Sequence, residues 1–508
     1  MNAPPPATPV ETAAPSAREI RAIVIGAMLA MFLVAIDQTI VAPALPPIAR
    51  DLGDFELISW IVTAYLLSST CVTPIVGKLA DLHGRRLVLA ACLIIFMASS
   101  ALCALAPTMP SLIVARGLQG LGGGGLIPLC QTVIGDVVAP RQRGRYAAYF
   151  SAVWASSAVL GPTVGGLLAQ HAGWPWIFWL NLPLGCLALA MVDRALRRLP
   201  VEHRPASIDY ASSALLTAAT VALLMVLSLG GKRLAWTSPE TLALAAAALV
   251  LGALFVRQQK RVAEPILPPR LVGERSVIRP VLIASFLFYG CYLALTVLLP
   301  IYYQVARATT VSEAGLLMIP VMLTSSFTAN TAGRYSQRTG FYKRPLLIGL
   351  PVAAAALLPV ALLADWLPPW GTAAFMLAVG WGVGPAFPCS TVAVQNAVDR
   401  RDLGTVSGAL AFARALGAAI IVAAASALVL GLIARALPDA GATTSLEDLA
   451  RRELPAAARD SVAQAFGVTF GALAVGLLAS FAMFARVEDR RLREQVGPSR
   501  TSGPDRPS

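Results

Sequence analysis

The feature that most constrains this chain is a repeated apolar run, which recurs from Arg21 to Arg486. Each run is long enough to cross a hydrocarbon core of about 30 Å as a helix, and the short joints between runs hold most of the charge. The composition agrees, because 57% of the residues are hydrophobic and only 13% are charged, which lies outside the range of soluble globular domains. The sequence therefore predicts an all-α polytopic membrane protein with no separate soluble domain.

The number of runs and the position of the basic residues predict the topology. An even number of spans places both termini on one side, and most Lys and Arg residues lie in joints that follow even-numbered spans. Because basic joints face the cytoplasm, we expect cytoplasmic termini and a location in the bacterial inner membrane. The fourteen predicted spans are 21–43, 57–78, 86–106, 111–134, 146–170, 175–193, 208–229, 240–256, 277–301, 312–333, 345–364, 371–394, 404–432 and 464–485.

Other classes of protein find little support in the sequence. The net charge of +13 is spread over many joints, with no basic face interleaved with aromatic residues, which argues against nucleic-acid binding. The seven cysteines and three histidines form no disulfide framework, metal-ligand set or catalytic group, so we predict no metal, no cofactor and no enzymatic activity. The stretch "GLGGGG" (120–125) has no strand before it, so it indicates helix packing rather than a nucleotide site.

Two joints resemble each other across the chain. "GKLADLHGRR" (77–86) and "GRYSQRTGFYKR" (333–344) each carry two glycines seven residues apart, followed by a basic pair. Similarity at matching positions of two halves is typical of a duplicated transporter fold, although any short cytoplasmic turn also favours Gly and Arg.

Four short motifs follow one another in the first part of the chain. Their residues are Asp37, Thr39, Ala44, Leu45 and Pro46 in the first span, Gly77, Lys78, Asp81, Gly84, Arg85 and Arg86 after the second, Arg116, Gln119 and Gly120 in the fourth, and Gly161, Pro162, Gly165 and Gly166 in the fifth. In this order they resemble the major facilitator superfamily, and in particular its fourteen-span drug/proton antiporter branch of the EmrB/QacA type. His83 and Gln337 depart from that pattern, where basic and acidic residues are usual.

The resemblance implies a major facilitator fold in which two six-helix bundles flank two additional central helices. The implied divisions are a disordered cytoplasmic tail (1–19), an N-terminal bundle (20–200), two additional transmembrane helices (201–262), a C-terminal bundle (263–488) and a second cytoplasmic tail (489–508).

The loop motif also has a physical interpretation of its own. Asp81 lies at the cytoplasmic end of the second span, where a carboxylate can pair with an arginine or a helix N-terminus in one global state and lose it in the other. We therefore predict a gating loop, with Asp136 as a further candidate for the same cluster; the arginines alone would also serve topology. The loop residues are Gly77, Asp81, Gly84, Arg85 and Arg86.

The fifth-span motif predicts a pliable, tightly packed helix. Gly161 and Gly165 form a face on which a neighbouring helix can approach closely, and Pro162 removes a backbone hydrogen bond. Gly166 completes the motif, and ordinary membrane packing is the alternative interpretation.

Three ionisable residues lie deep inside predicted spans, and they are Asp37, Arg116 and Arg414. Such a group costs roughly 2.5–3.5 kcal/mol on insertion scales, so it usually faces a protein interior or a wet cavity. Asp37 lies about six residues before the outer end of the first span, and Arg116 about six after the outer start of the fourth, so both lie roughly 9 Å below the outer surface. Because the resemblance implies that both helices border the central cavity, the matching depth predicts that these two side chains are electrostatically coupled.

This pair is the predicted centre of proton coupling. Burial favours the protonated form of Asp37, whereas a nearby Arg116 favours the charged form, so the balance changes as a cavity opens to either side. We predict that Asp37 carries the exchanged proton and helps to hold cationic substrate, with Arg116 tuning it. The alternative is a static buried pair.

Further polar and aromatic residues in the spans are predicted to line a central substrate cavity, where aromatic rings suit apolar and cationic ligands. Arg414 has no evident acidic neighbour, so it either counters a helix C-terminus or substrate charge, or is structural. The other candidates are Gln38, Gln119, Gln131, Trp154, Asn181, Phe286, Phe288, Tyr289, Tyr292, Asn330, Gln395 and Asn396.

Together these observations predict a secondary active multidrug exporter that exchanges lipophilic or cationic compounds for protons by alternating access. The alternatives are a proton-coupled exporter of one metabolite, siderophore, peptide or lipid, and a membrane scaffold or sensor that transports nothing. The expected partners are an amphiphilic small molecule, protons and the lipid bilayer, with no nucleic acid, and the resemblance implies a monomer. The sequence does not specify the substrate or a periplasmic adaptor.

Overall fold

The computed structural model describes most of the chain and is built from long helices. The described residues are 17–54, 57–138, 140–197, 209–230, 236–262, 265–266, 268–273, 276–399, 402–436, 455–489 and 491–492. Most of both predicted tails, namely residues 1–16 and 493–508, therefore lies outside the described part.

The helices are numbered here in chain order, and a 3₁₀ turn (Ala42–Ala44) joins the first two. They are α1 (Ala17–Ile40), α2 (Leu45–Leu52), α3 (Ile58–His83), α4 (Arg85–Ala104), α5 (Met109–Val137), α6 (Pro140–His171), α7 (Trp176–Trp179), α8 (Asn181–Leu196), α9 (Tyr210–Leu229), α10 (Pro239–Gln259), α11 (Pro269–Val272), α12 (Ile278–Arg307), α13 (Val311–Thr339), α14 (Lys343–Leu362), α15 (Pro369–Val383), α16 (Ala386–Asn396), α17 (Leu403–Ala436) and α18 (Ala456–Ala485).

The predicted all-α membrane architecture is confirmed. Thirteen helical stretches among the described residues are long and apolar enough to cross a membrane. The remaining predicted span, 312–333, is α13, which has 29 residues but is interrupted by polar side chains along its length. All fourteen predicted spans therefore correspond to helical stretches.

The helix bounds differ from the predicted spans in a systematic way. α5 and α6 extend beyond 111–134 and 146–170 at both ends, because hydropathy marks only the apolar part of a helix whose hydrogen bonding continues into the interface. The predicted span 371–394 is divided, since α15 ends at Val383 and α16 begins at Ala386 after Gly384 and Pro385. Pro385 has no backbone N–H for a helical hydrogen bond.

Each half of the molecule has its own hydrophobic core. One buried cluster contains only residues between Val277 and Leu492, from α12–α18. Two further clusters contain only residues between Ile23 and Leu196, from α1–α8. α9 and α10 pack against each other, and α9 also contacts α3. We call α1–α8 the N-terminal half and α12–α18 the C-terminal half; the predicted boundaries 20–200, 201–262 and 263–488 stay predictions.

The two halves meet mainly where α3 contacts α17 and where α6 contacts α13. The α3–α17 contact is close, because a Cβ atom added to Gly77 would lie 2.5 Å from the backbone oxygen of Gly404. The two halves therefore meet mainly along two helix pairs, one of which is in close backbone contact.

The glycine run of α5 allows close helix packing, as predicted. A Cβ atom on Gly122 would lie 2.6 Å from the backbone nitrogen of Phe96 in α4, and one on Gly120 or Gly124 would collide with the backbone of α3. Small residues let α5 sit between two helices at close range.

Candidate functional site

The central feature of the N-terminal half is a buried carboxylate that receives three N–H groups. Asp37 on α1 forms an ion pair with Arg116 on α5, with 2.8 Å between Oδ2 and Nη1. Its Oδ1 accepts hydrogen bonds from Gln119 Nε2 at 3.1 Å and from Asn181 Nδ2 at 2.8 Å. The predicted coupling of Asp37 and Arg116 is confirmed as a direct contact, and Asn181 brings α8 into the same site.

The Arg116 guanidinium makes several contacts besides its ion pair with Asp37. Its Nη1 also donates to Gln119 Oε1 at 2.6 Å, and its Nε donates to the backbone oxygen of Ile61 at 3.3 Å. The guanidinium carbon lies 4.4 Å from the ring centroid of Tyr65, within cation–π range. We call Asp37, Arg116, Gln119 and Asn181 the acidic cluster.

The acidic cluster is closed to solvent in this structure. Asp37 is 0% exposed and Arg116 is 1% exposed, so Asp37 faces neither lipid nor an open cavity here. All three of its donors are N–H groups, and an ionised carboxylate has only acceptor sites to offer them. The three donors therefore match acceptor sites of the charged form, with two hydrogen bonds to Oδ1 and one to Oδ2.

A second carboxylate connects the two halves. Asp81, near the C-terminal end of α3, accepts hydrogen bonds from the backbone N–H of Gly404 at 3.0 Å and of Thr405 at 2.6 Å, and from the Thr405 hydroxyl at 2.8 Å. Both amides belong to the first turn of α17, where unpaired N–H groups and the helix dipole favour an anion. We call this region the Asp81 end of the molecule.

Arginines of the predicted gating loop brace this contact. Arg85 pairs with Asp81 at 2.7 Å and with Asp136 of α5 at 2.8 Å, so Asp136 belongs to the cluster, as the sequence suggested. Arg86 instead pairs with Asp193 of α8 at 2.6 Å, within the N-terminal half. Gly84 separates α3 from α4 with φ of +88°, a conformation that a residue with a side chain rarely adopts.

The fifth-span motif packs α6 against α1, next to the acidic cluster. A Cβ atom on Gly161 would collide with the Thr39 side chain, and one on Gly165 with the backbone oxygen of Ile40. Thr39 also donates a hydrogen bond to the backbone oxygen of Ser157 at 2.8 Å. Pro162 lies inside α6, whereas Gly166 has open space around its Cβ position. Two of the three motif glycines therefore form the predicted close contact.

In the C-terminal half, Arg414 joins α17 to α16. Its Nη2 donates to the backbone oxygen of Phe387 at 3.0 Å, to Ser390 Oγ at 2.8 Å and to Thr391 Oγ1 at 3.2 Å. Phe387 in turn packs edge-on against Tyr289 and Tyr292 of α12, with ring centroids 5.9 and 5.5 Å apart. Four of the predicted cavity residues are thus brought together, namely Phe288, Tyr289, Tyr292 and Arg414.

The other predicted cavity residues are dispersed. Gln119 is part of the acidic cluster, and Gln38 and Asn330 are partly buried on α1 and α13. Trp154 packs against the N-terminal core, while the backbone of Phe286 lies against Gly417. Gln395 is placed at the Asp81 end, where its Nε2 donates to the backbone oxygen of Gln131 and to Ser407 Oγ, both at 3.3 Å.

Some contributors were not predicted from the sequence. Gly404 and Thr405 hold Asp81, and the start of an apolar span shortly after Asp402 is the pattern from which a helix N-terminus could have been proposed. Ser390 and Thr391 carry no comparable pattern, because small hydroxyl residues are common in membrane helices. The described residues contain no group of His, Cys, Asp or Glu placed to hold a metal ion.

Comparison with known proteins agrees with this arrangement. A sequence model described as "Major Facilitator Superfamily" matches residues 27–422. The chain belongs to the Major Facilitator Superfamily. It is therefore a membrane transporter and not an enzyme.

Relatives and a solved structure support the assignment to this superfamily. The "Multidrug transporter protein MdtP" of Bacillus subtilis is 37% identical over 395 residues, covering 78% of this chain and 72% of that protein. The "Multidrug resistance protein 3" of Bacillus subtilis is 32% identical over 395 residues, covering 78% and 77%. The crystal structure of the human organic anion transporter MFSD10 has a TM-score of 0.63 at 19% identity, covering 92% and 99% of the two chains, and shows the shared fold.

Proposed function

We propose that this superfamily member exports lipophilic or cationic compounds in exchange for protons, by alternating access between its two halves. The relatives named as multidrug transporters support export of drug-like compounds. The proton coupling rests on one observation, the buried Asp37 carboxylate surrounded by three N–H donors.

The hydrogen-bond pattern makes Asp37 a switch between two states. As a carboxylate it accepts from Arg116, Gln119 and Asn181 at once. Oδ2 accepts only one hydrogen bond from the described residues, so it can take up a proton on its other lone pair; this removes the charge that compensates Arg116 and weakens their ion pair. Because Arg116 lies on α5, protonation loosens the packing of this helix on α1. Proton loading is thereby linked to the arrangement of the N-terminal half.

The Asp81 end supplies the second element of alternating access. The contacts of Asp81 with Gly404 and Thr405 close the two halves against each other at this end. We place this end and both termini at the cytoplasmic side of the bacterial inner membrane, in agreement with the distribution of basic residues. The structure then represents a form that is closed towards the cytoplasm, and breaking the Asp81 contacts opens it. The protein works as a monomer in this scheme.

The proposal is tested by reconstituting the full-length protein in proteoliposomes and measuring ethidium transport driven by an imposed proton gradient. We expect Asp37→Asn to lower the initial rate at least tenfold, because an asparagine amide cannot take up and release the exchanged proton. Asp51→Asn is the matched control. Asp51 accepts a hydrogen bond from Trp174 Nε1 at 2.8 Å, which an asparagine oxygen can still accept.

Two further measurements keep this test decisive. The double variant Asp37→Asn with Arg116→Gln removes both buried charges, so it separates loss of coupling from misfolding caused by an unpaired arginine. Undiminished gradient-driven transport by either variant would refute the proton role of Asp37. A panel of compounds addresses the substrate range, because transport of a single member would favour a specialised metabolite exporter.

A further inference from the structure

Arg414 occupies an unusual position for an arginine. It lies eleven residues after Leu403, the first residue of α17, which is about 16 Å along the helix axis at 1.5 Å per residue. It is therefore far from both ends of a 34-residue helix. A cation at such a depth normally faces a protein partner or a wet cavity.

The bonding of Arg414 leaves much of its guanidinium unused. The three hydrogen bonds to Phe387, Ser390 and Thr391 all come from Nη2. Within the described part of the chain, the buried Nε has no hydrogen-bond partner. A guanidinium presents its donors as a planar fork that matches the two oxygens of a carboxylate. Both forks of the guanidinium include Nη2, which is occupied here, so the donors left for an anion are the N–H groups of Nη1, each of which can bind one carboxylate oxygen.

The charge of Arg414 is also uncompensated. Its three hydrogen-bond acceptors are a backbone carbonyl and two hydroxyl groups, all of which are neutral. No Asp or Glu of the described residues forms an ion pair with Arg414, whereas Arg116 has Asp37 at 2.8 Å. Because a lone charge in a low-dielectric environment is unfavourable, an anionic ligand would gain more here than at a surface arginine.

The surroundings of Arg414 are aromatic. The Phe387 ring contacts the rings of Tyr289, Tyr292 and Phe288. The ring centroids of Phe387 and Phe288 are 5.4 Å apart. The guanidinium carbon lies 6.0 Å from the Phe288 centroid. Phe288 is fully buried, while Tyr289, Tyr292, Phe387 and Arg414 are only partly buried. The site therefore combines an apolar aromatic surface with one positive charge, that of Arg414.

From these observations we infer that Arg414, with the rings of Tyr289, Tyr292 and Phe387, forms an anion-binding subsite for amphiphilic substrates that carry a carboxylate. A carboxylate oxygen accepts from Nη1 of the guanidinium, and the aromatic part of the substrate packs against the three rings. This inference rests on the proposed export function and extends its substrate class to anionic and zwitterionic amphiphiles.

A matched pair of probes tests the inference by binding alone. 7-(Diethylamino)coumarin-3-carboxylate and its ethyl ester share one aromatic body and differ in charge. Their affinities for the detergent-solubilised protein are measured by fluorescence anisotropy, with empty micelles as background. We expect the wild type to bind the acid about tenfold more tightly than the ester, the size of one charge-assisted hydrogen bond.

Variants separate ligand binding from a structural role. Arg414→Gln is expected to weaken binding of the acid about tenfold and to leave the ester unchanged, while Arg414→Lys retains part of the preference. Arg435→Gln is the control, because Arg435 is an exposed arginine on the same helix. Equal weakening of both probes by Arg414→Gln would show that Arg414 only ties α16 to α17.

Absence of any preference in the wild type would also overturn the inference. Because binding in detergent requires no proton gradient, this result is independent of the ethidium transport test. Failure of that transport test with a retained preference for the acid would refute proton exchange and leave the anion subsite standing.

Discussion

Arg116 and Arg414 are the same residue type at membrane depth in opposite halves, yet their environments differ. Arg116 is closed off, paired with Asp37 and bonded to Gln119 and Ile61. Arg414 is only partly buried, and its described hydrogen-bond acceptors are neutral. In the N-terminal half, Arg116 is thus neutralised by the Asp37 carboxylate of the same half. In the C-terminal half, the described residues supply no carboxylate that pairs with Arg414, so its counter-ion must come from outside them. We infer a division of labour between proton handling and ligand handling.

The largest expected effect follows from breaking the complete pair. Arg116→Met leaves the buried Asp37 carboxylate without its counter-ion, which should lower the free energy of unfolding by about 3–5 kcal/mol. Unfolding in SDS titrations of the purified protein measures this. The double variant Arg116→Met with Asp37→Asn removes both charges and should recover at least half of the loss. Equal stability of the single and double variants would contradict a mutually dependent pair.

A smaller effect is expected where α6 supports the helix that carries Asp37. Gly161→Ala would press a methyl group against Thr39, two residues from Asp37, and overpacking of this kind costs typically about 1–3 kcal/mol. Gly166→Ala, five residues further along α6, has open space and is expected to change stability by less than about 0.5 kcal/mol. The same SDS titration compares them, and equal costs would mean that the motif glycines do not position α1.

The seam between the halves should respond at an intermediate level. Asp81→Asn removes the charge that accepts the first amides of α17, a loss of about 1–2 kcal/mol for hydrogen bonds to a charged group. Hydrogen–deuterium exchange of the peptide that begins at Leu403 should therefore become faster. Asp193→Asn is the control, since Asp193 pairs with Arg86 and Arg197 inside the N-terminal half. Unchanged exchange in Asp81→Asn would remove Asp81 from the gate.

The smallest expected effect completes the comparison of the two arginines. Arg414→Met removes three hydrogen bonds to neutral groups. It leaves no buried carboxylate of the described residues without its counter-ion. We expect a change in stability below about 1 kcal/mol, several-fold less than for Arg116→Met. A loss as large as that of Arg116→Met would show that Arg414 is a structural residue of the C-terminal half.

Much of the fold could be predicted because the bilayer imposes it. Apolar runs of the right length must be helices when no water can satisfy the backbone, and all fourteen were found at the predicted places. Depth counting, together with the family resemblance that places both helices at the central cavity, also predicted the coupling of Asp37 and Arg116, since helices of known direction have a fixed rise per residue. These successes concern position along a helix axis.

Rotation about the axis could not be predicted in the same way. The contacts of Gln395 with Gln131 and Ser407 were not predicted, because one sequence does not show which face of a helix meets which neighbour. An arginine and a helix N-terminus were predicted as partners of Asp81, but Gly404 and Thr405 were not named, because backbone amides have no side-chain pattern to reveal them. The break between α15 and α16 was hidden by an uninterrupted apolar run.

The central claim is that the Asp37 carboxylate exchanges a proton when substrate binds. It is tested most directly by counting protons released into a weakly buffered detergent solution, with a pH-sensitive dye, as ethidium is added to saturation. When the titration begins at an acidic pH at which the free protein carries the exchanged proton, the wild type should by linkage release up to one proton per bound ethidium, and Asp37→Asn should bind ethidium with almost no release. Equal proton release by Asp37→Asn and the wild type would contradict the account.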